Sequence, residues 1–407
     1  MKGTFMASYT NFFTEKSQSL LYEEDFIGTL KICMETFRSF DRALDTFIAE
    51  HGYNGDIGDI EEKTNFIKDK FKASEIPVPR SIRRWYTEHI LIERKTAFQI
   101  CFAFQLDIVQ TEDFMRRICL MRSFDYHNME EIVYCFSLKH KINYCMAQEI
   151  ISSMNMVKPD KFQAEEPVYT KFLENDIENI NSVDELVKYL NENAEIFEYN
   201  NATAYHIIQT VWNDIAKPEG LAIRERRKLY KAFDDEDNAG KKSRKRAEDS
   251  VWEICLQILG LSGSYADSYY KERSLKSILK DNDLLHPLAE NCFPDRDGLN
   301  KVLTGRHVSY ERVRKLLILL VFYKFWVIKA LNKNDYYSEQ DENDLERCKS
   351  MINEMLVDAG YPTLYPGNPY DFIFLASMNT LFPLLSFRDI MREIYGQKSC
   401  VTTGYEA

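Results

Sequence analysis

An all-α, multi-lobed architecture is the fold class this sequence predicts, and three observations predict it. Only 15 Gly and 11 Pro occur in 407 residues, too few for a turn-rich β architecture. Strict alternation of apolar and polar residues is scarce. Apolar residues instead recur every three or four positions through most of the chain, the period of an amphipathic helix.

The elements follow in order. Phe26, Leu30, Cys33, Phe37, Phe40, Leu44 and Phe47 share one helical face, predicting a single long helix over residues 26–50 that stops near Gly52. Residues 54–59 are polar with two Gly and read as a loop. A helix over 61–75 follows, broken by Pro77 and Pro79. Helices are expected over 81–87, 94–106 and 111–122, the last with Thr111 as N-cap and Glu112 and Asp113 in its first turn. A further pair covers 129–139 and 144–154. Residues 157–168 read as a linker into an acidic helical block, where Ser182 and Glu185 stand at capping-box spacing. Helices then cover 202–215, stopped by Pro218 and Gly220, and 221–233, which has a basic face. Residues 234–246 carry one apolar side chain, an Ala, and predict a solvated loop. Helices over 250–261, 344–359 and 371–381 complete the pattern. The expected division is 1–55, an N-terminal helix; 56–156, a helical domain; 157–249, an acidic helical insertion with a charged loop; 250–332, a second helical unit; and 333–407, a C-terminal helical block.

Composition narrows the function classes. The 9 Cys form no CxxC pair, and Cys101, Cys119 and Cys135 sit in apolar helical patterns, predicting reduced thiols in a cytoplasmic protein with no structural metal. The first 18 residues hold no continuous apolar run of the kind a secretory leader needs. The most apolar run, 316–323, is far shorter than a bilayer span and predicts a buried helix. The net charge is −12, but it is concentrated. Residues 160–199 hold 11 acidic and 3 basic side chains, and 335–358 hold 8 and 2, leaving the remainder at +2. Basic residues cluster over 80–95, 224–231, 241–246 and 296–315. Distribution, more than the sum, decides whether a polyanion can dock.

One basic cluster lies in the most informative stretch, residues 287–320. It reads as a short helix, a tight turn, a second helix, a Gly-containing loop and a long apolar helix. Ala289 supplies the small residue where two helices cross, flanked by Leu288 and Cys292. Leu299 and Val302, one helical turn apart, point the second helix inward. Its outer face then carries Asp295, Arg296, Asp297, Asn300 and Lys301. Gly305 suits the left-handed cap, with Arg306 and His307 in the loop, and Ser309 can cap the next helix. Val313, Leu316, Leu317 and Leu320 close the core. A second match covers 79–106. There Ile82 and Trp85 repeat the inward spacing, Ala97, Ile100, Cys101 and Phe104 form the packing helix, and Arg80, Arg83 and Arg84 point elsewhere. Arg94 and Lys95 open the following helix, where phosphate is favoured.

These two segments resemble the Cro/repressor-like, Xre-type helix-turn-helix class. The first departs from the class pattern at Phe293, where Gly usually stands in the turn, and the second has Lys72 where a small residue is usual. The resemblance implies binding of double-stranded DNA and transcription regulation. Its contacts would come from Arg80, Arg83, Arg84, Arg94, Lys95, Arg296, Asn300, Lys301 and Arg306. The chain as a whole is similar, in residues 97–120, 307–326 and 365–375, to a group of helical bacterial proteins of unassigned role, some associated with mobile elements.

Catalytic patterns are weak. The seven His show no HExxH or HxxxH pair, and GxSxG and GxGxxG are absent. AGKKS has Asp235 where a phosphate loop needs Gly, and Lys242 where Ser or Thr would ligate magnesium. Asp125 and His127, two residues apart on a helix, would not face each other. The expectation is therefore a regulatory DNA-binding protein without enzymatic activity or cofactor. The alternative is a scaffold, phage-defence or mobile-element associated, whose acidic segments recruit a protein.

Overall fold

The computed structural model describes Glu15 and residues 39–88, 92–154, 170–198, 202–228, 251–261, 296–306, 308, 310–332 and 343–396. Among these, every regular element is a helix and there is no strand, as the helical period requires. They form two compact units. Residues 39–203 with Val357–Pro362 make the first, and Ala204–Leu356 with the chain from Thr363 onward makes the second.

The first unit begins with α1 (Phe40–Glu50), which buries Phe40, Ala43, Leu44, Phe47 and Ile48. The N-terminal half of the long helix expected over 26–50 lies outside the described residues. Asp59 caps α2 (Ile60–Ala73) by accepting from Glu61 N and Glu62 N at 2.8 and 3.0 Å. Two prolines then force an extended connection over 74–81 before α3 (Ile82–Thr87), whose Ile82, Trp85 and Tyr86 are buried. Lys63 ties these three helices together: its ammonium lies 2.7 Å from Asp45 of α1 and 4.2 Å from the Tyr86 ring centre.

α4 (Arg94–Ala103) leads to a correction. Thr111 is not an N-cap but a fully buried residue inside α5 (Ile108–Asp113). The cap is Asp107, in a reciprocal box with Gln110 at 2.8 and 3.0 Å. The helix does not run on to Arg122. It widens into a π-helical segment (Phe114–Ile118) whose Cys119 N donates to Phe114 O, and Leu120 leaves it with φ of 52°. The wider turn lets Phe114, Met115, Ile118 and Cys119 all reach the core.

α6 (Met129–Lys139) and α7 (Tyr144–Ser153) are capped by Asn128 and Asn143. The acidic block forms α8 (Thr170–Glu178) and α9 (Val183–Glu192). Ser182 accepts from Glu185 N at 3.2 Å, while the Glu185 carboxylate accepts from Asn181 N at 3.0 Å, one residue earlier than the usual box.

The second unit contains α10 (Ala202–Ala216), α11 (residues 221–228), α12 (Val251–Leu259), α13 (Arg296–Leu303), α14 (Tyr310–Asn332), α15 (Asp344–Asp358), α16 (Pro369–Met378) and α17 (Pro383–Gly396). α14 is its axis: every residue from Val313 to Tyr323 is buried, so a helix apolar on all sides becomes a core helix. Among the described residues no helix is long and apolar enough to cross a membrane. Three cations of α14 are accommodated. Arg314 makes a two-point ion pair with Asp371, Lys315 lies 5.2 Å from the centre of the Tyr370 ring, and Lys324 meets Asp214 at 2.7 Å. α16 starts two residues before its expected position because Asn368 caps it and Pro369 opens it.

Candidate nucleic-acid interface

In the second unit, the two residues expected to seat the second helix of the 287–320 stretch do turn inward. Leu299 and Val302 of α13 are 2% and 0% exposed, and α13 packs on α12 and α14, with Leu299 beside Ile258, Leu316 and Leu320. Asn300 and Lys301, between them in sequence, are exposed. Gly305 ends the helix at φ of 66°, and its N–H donates to Val302 O, with Arg306 N donating to Lys301 O at 2.7 Å. Arg306 is exposed just beyond. The side chain of Arg296, and the residues expected to form the turn and the helix around Ala289, lie outside the described residues.

A residue that sequence reading misses organises this loop. Tyr205 of α10 donates its phenol hydrogen to Arg306 O at 3.3 Å and accepts from Val308 N at 3.2 Å. The ring is buried, and burial raises the phenol pKa. About a hundred residues separate the partners, so no local pattern could have disclosed the contact.

In the first unit, Arg80 and Arg83 are exposed and form no ion pair among the described residues, while Ile82 and Trp85 are buried, 0% and 1% exposed. Trp85 Nε1 donates to Ser81 Oγ at 3.1 Å, fixing the first turn of α3. Arg84 is exposed too, but it forks onto Glu88 at 2.9 and 2.8 Å. That hydrogen-bonded pairing raises the guanidinium pKa and lowers that of the Glu88 carboxyl. The connection over 74–81 is longer than the three or four residues of a helix-turn-helix turn, and α3 has six residues. This segment is therefore a basic corner rather than a tight two-helix turn.

Arg94 cannot serve as expected. Its guanidinium contacts Glu131 at 2.6 Å from two nitrogens and donates to the carbonyls of Arg122 at 2.8 Å and Ser123 at 2.7 Å. It is a structural clamp with its donors already engaged. Lys95 is exposed and sits 3.4 Å from Glu130, a loose surface pair that a phosphate can displace.

The residues considered for catalysis are placed differently from a reacting pair. Asp125 and His127 occupy the loop before α6, not a helix, and Asp125 accepts from the His127 backbone N–H at 3.0 Å. The Asp125 carboxylate also pairs with Arg122, which, against the cost of burial, lowers its pKa. Burial lowers the His127 pKa. Six described cysteines are free thiols and five of them are buried. Burial pushes Cys135 and Cys255 up to about 12, far from the thiolate a nucleophile needs. No group of metal-ligating side chains occurs among the described residues.

Comparison with protein-family models, with curated proteins and with solved structures finds no match to this chain.

Proposed function

We propose that this protein binds double-stranded DNA, with α13 and the loop after it as the principal contact and the α3 corner as a basic accessory surface. One observation carries the reading. Leu299 and Val302 are sealed into the core while Asn300, Lys301 and Arg306 stand open on the other side. A helix laid into a groove needs that division: an apolar face that fixes its pose and a polar face free of the protein. Lys301 and Arg306 supply phosphate contacts, and Asn300 has the amide that reads adenine in the major groove. Arg80, Arg83, Lys95 and, on leaving Glu88, Arg84 add phosphate contacts. Arg94 has no part in it. A regulatory role in transcription follows as the simplest use of such binding.

The test is titration of labelled random-sequence and genomic duplexes with the full chain at about 50 mM salt. Affinity is expected to fall steeply with added salt, as counterion release requires. Lys301→Glu with Arg306→Glu should abolish binding, and Arg83→Ala with Arg84→Ala should weaken it. Absence of wild-type binding at low salt, or a double charge reversal without effect, overturns the reading.

A second reading is a protein-interaction scaffold without DNA contact. The neutralisation of Arg84 by Glu88 favours it, as do the exposed carboxylates Asp176, Glu178, Asp184, Glu185, Glu192 and Glu195 on and around α8 and α9. These would receive a basic protein partner. Failure of every duplex to bind would leave this as the function to pursue.

A further inference from the structure

We infer that Tyr205 is the positioning residue for Arg306: its hydroxyl fixes the backbone on either side of residue 307 and thereby sets where the Arg306 guanidinium is presented. The inference rests, for its functional consequence, on the proposed duplex binding.

The geometry is specific. Gly305 takes the left-handed conformation that ends α13, so the chain turns sharply just before Arg306. A short connection after such a turn has two free main-chain groups, Arg306 O and Val308 N. One hydroxyl satisfies both, donating at 3.3 Å and accepting at 3.2 Å. A phenol can do this because it carries one hydrogen and two lone pairs. Its ring is 6% exposed and the α10 backbone carries it, so the anchor is a rigid one. Val308 is buried on the far side of the loop while Arg306 remains exposed. The hydroxyl therefore separates a seated residue from a presented one. Removing it should leave the core unchanged and let Arg306 sample many positions, losing its contact with a phosphate through disorder rather than through loss of charge.

Tyr205→Phe removes the oxygen and keeps the ring. Three measurements on the full chain decide the matter. In limited trypsin digestion without DNA, compared at the same interval below each protein's melting temperature, cleavage after Arg306 should be several-fold faster in Tyr205→Phe. Equal cleavage rates overturn the inference whether or not the protein binds DNA. In duplex titrations, Tyr205→Phe should reduce the slope of log affinity against log salt by about 0.9, the value for one lost phosphate contact. In the Arg306→Ala background, Tyr205→Phe should have no further effect. An equal loss in both backgrounds would show a general structural role and overturn the assignment. Faster cleavage combined with absence of wild-type duplex binding would sink the proposed function alone and leave the loop anchor standing.

Discussion

Arg94 and Glu131 face each other through two contacts of 2.6 Å, and the same guanidinium donates to the carbonyls of Arg122 and Ser123. The Glu131 carboxylate accepts in addition from Asp125 N at 2.7 Å. The pair thus joins the start of α4 to α6 and holds the irregular chain that follows the π-helical segment. Arg94→Ala strands the Glu131 carboxylate, whose side chain is 8% exposed, and frees two carbonyls. Loss of about 3 kcal/mol is expected in urea unfolding, since breaking a buried pair leaves an uncompensated charge. Arg94→Lys should recover only part of it, because an ammonium lacks the planar fork. If Arg94→Ala left stability unchanged but weakened duplex binding, the residue would belong to the interface after all.

His127 makes the first unit sensitive to mild acid. Burial lowers its pKa from the ordinary 6.5; Asp125 opposes that effect and Arg122 adds to it. Between the lowered folded value and 6.5 the unfolded chain binds more protons than the native one. Stability is therefore complete above pH 6.5 and is lost as pH falls toward the folded pKa, at no more than about 1.4 kcal/mol per pH unit. Urea midpoints at pH 7.5, 6.0 and 5.0 should fall more for the wild type than for His127→Gln, which has nothing to protonate there. Parallel curves for the two proteins would refute the assignment.

Local chemistry was legible where it was self-contained. The helix expected over residues 129–139 is present with those bounds, and its local signals agree in the structure: Asn128 caps it, Glu130 and Glu131 lie in its first turn and Lys139 in its last. The inward turn of Leu299 and Val302 follows from spacing alone. Thr111 misled because a Thr before two acidic residues imitates a cap, while Asp107 with Gln110 is the better box four residues earlier. The π-helical segment was illegible because a 3.6-residue period cannot signal a widened turn. α17 was missed altogether, and what holds it is non-local: Arg388 reaches Glu225 and the end of α12. The candidate interface divides the same way. Exposure of Arg83, Asn300 and Lys301 follows from helical phase, whereas the capture of Arg94 by Glu131 and of Arg306 O by Tyr205 depends on partners 37 and 101 residues away.

Gly260 shows how tightly α17 is held. It follows α12 at φ of 67°, and a Cβ there would come within 2.5 Å of the Arg388 side chain. Arg388 donates to Gln257 O at 2.8 Å and pairs with the fully buried Glu225 at 2.9 Å, and Tyr323 donates to the same carboxylate at 2.6 Å. Gly260→Ala therefore adds left-handed strain of about 1 kcal/mol and displaces the cation that neutralises Glu225. A total of about 3 kcal/mol is expected in urea unfolding, dominated by the unpaired carboxylate. A loss of about 1 kcal/mol only would mean that Arg388 moves aside without leaving Glu225.

Arg314 and Asp371 give the sharpest separation of charge from hydrogen bonding. Both are buried, with contacts of 2.7 Å from two guanidinium nitrogens. Burial works against the guanidinium charge, and the Asp371 carboxylate overcomes it, holding the pKa above its ordinary value. Asp371 has a second duty, accepting from Tyr365 N at 2.9 Å in the turn before α16. Arg314→Met leaves the carboxylate charged and without its cation, a loss of about 3–5 kcal/mol. Adding Asp371→Asn removes the stranded charge while an amide oxygen can still receive the Tyr365 N–H. The double variant should therefore be more stable than Arg314→Met alone. Arg314→Met with Asp371→Leu should be less stable than that double variant by about 1–3 kcal/mol, the cost of orphaning the Tyr365 N–H. Chemical denaturation of the three proteins tests the order. If Leu proved as good as Asn at position 371, the backbone bond would be dispensable and the ion pair alone would hold the turn against α14.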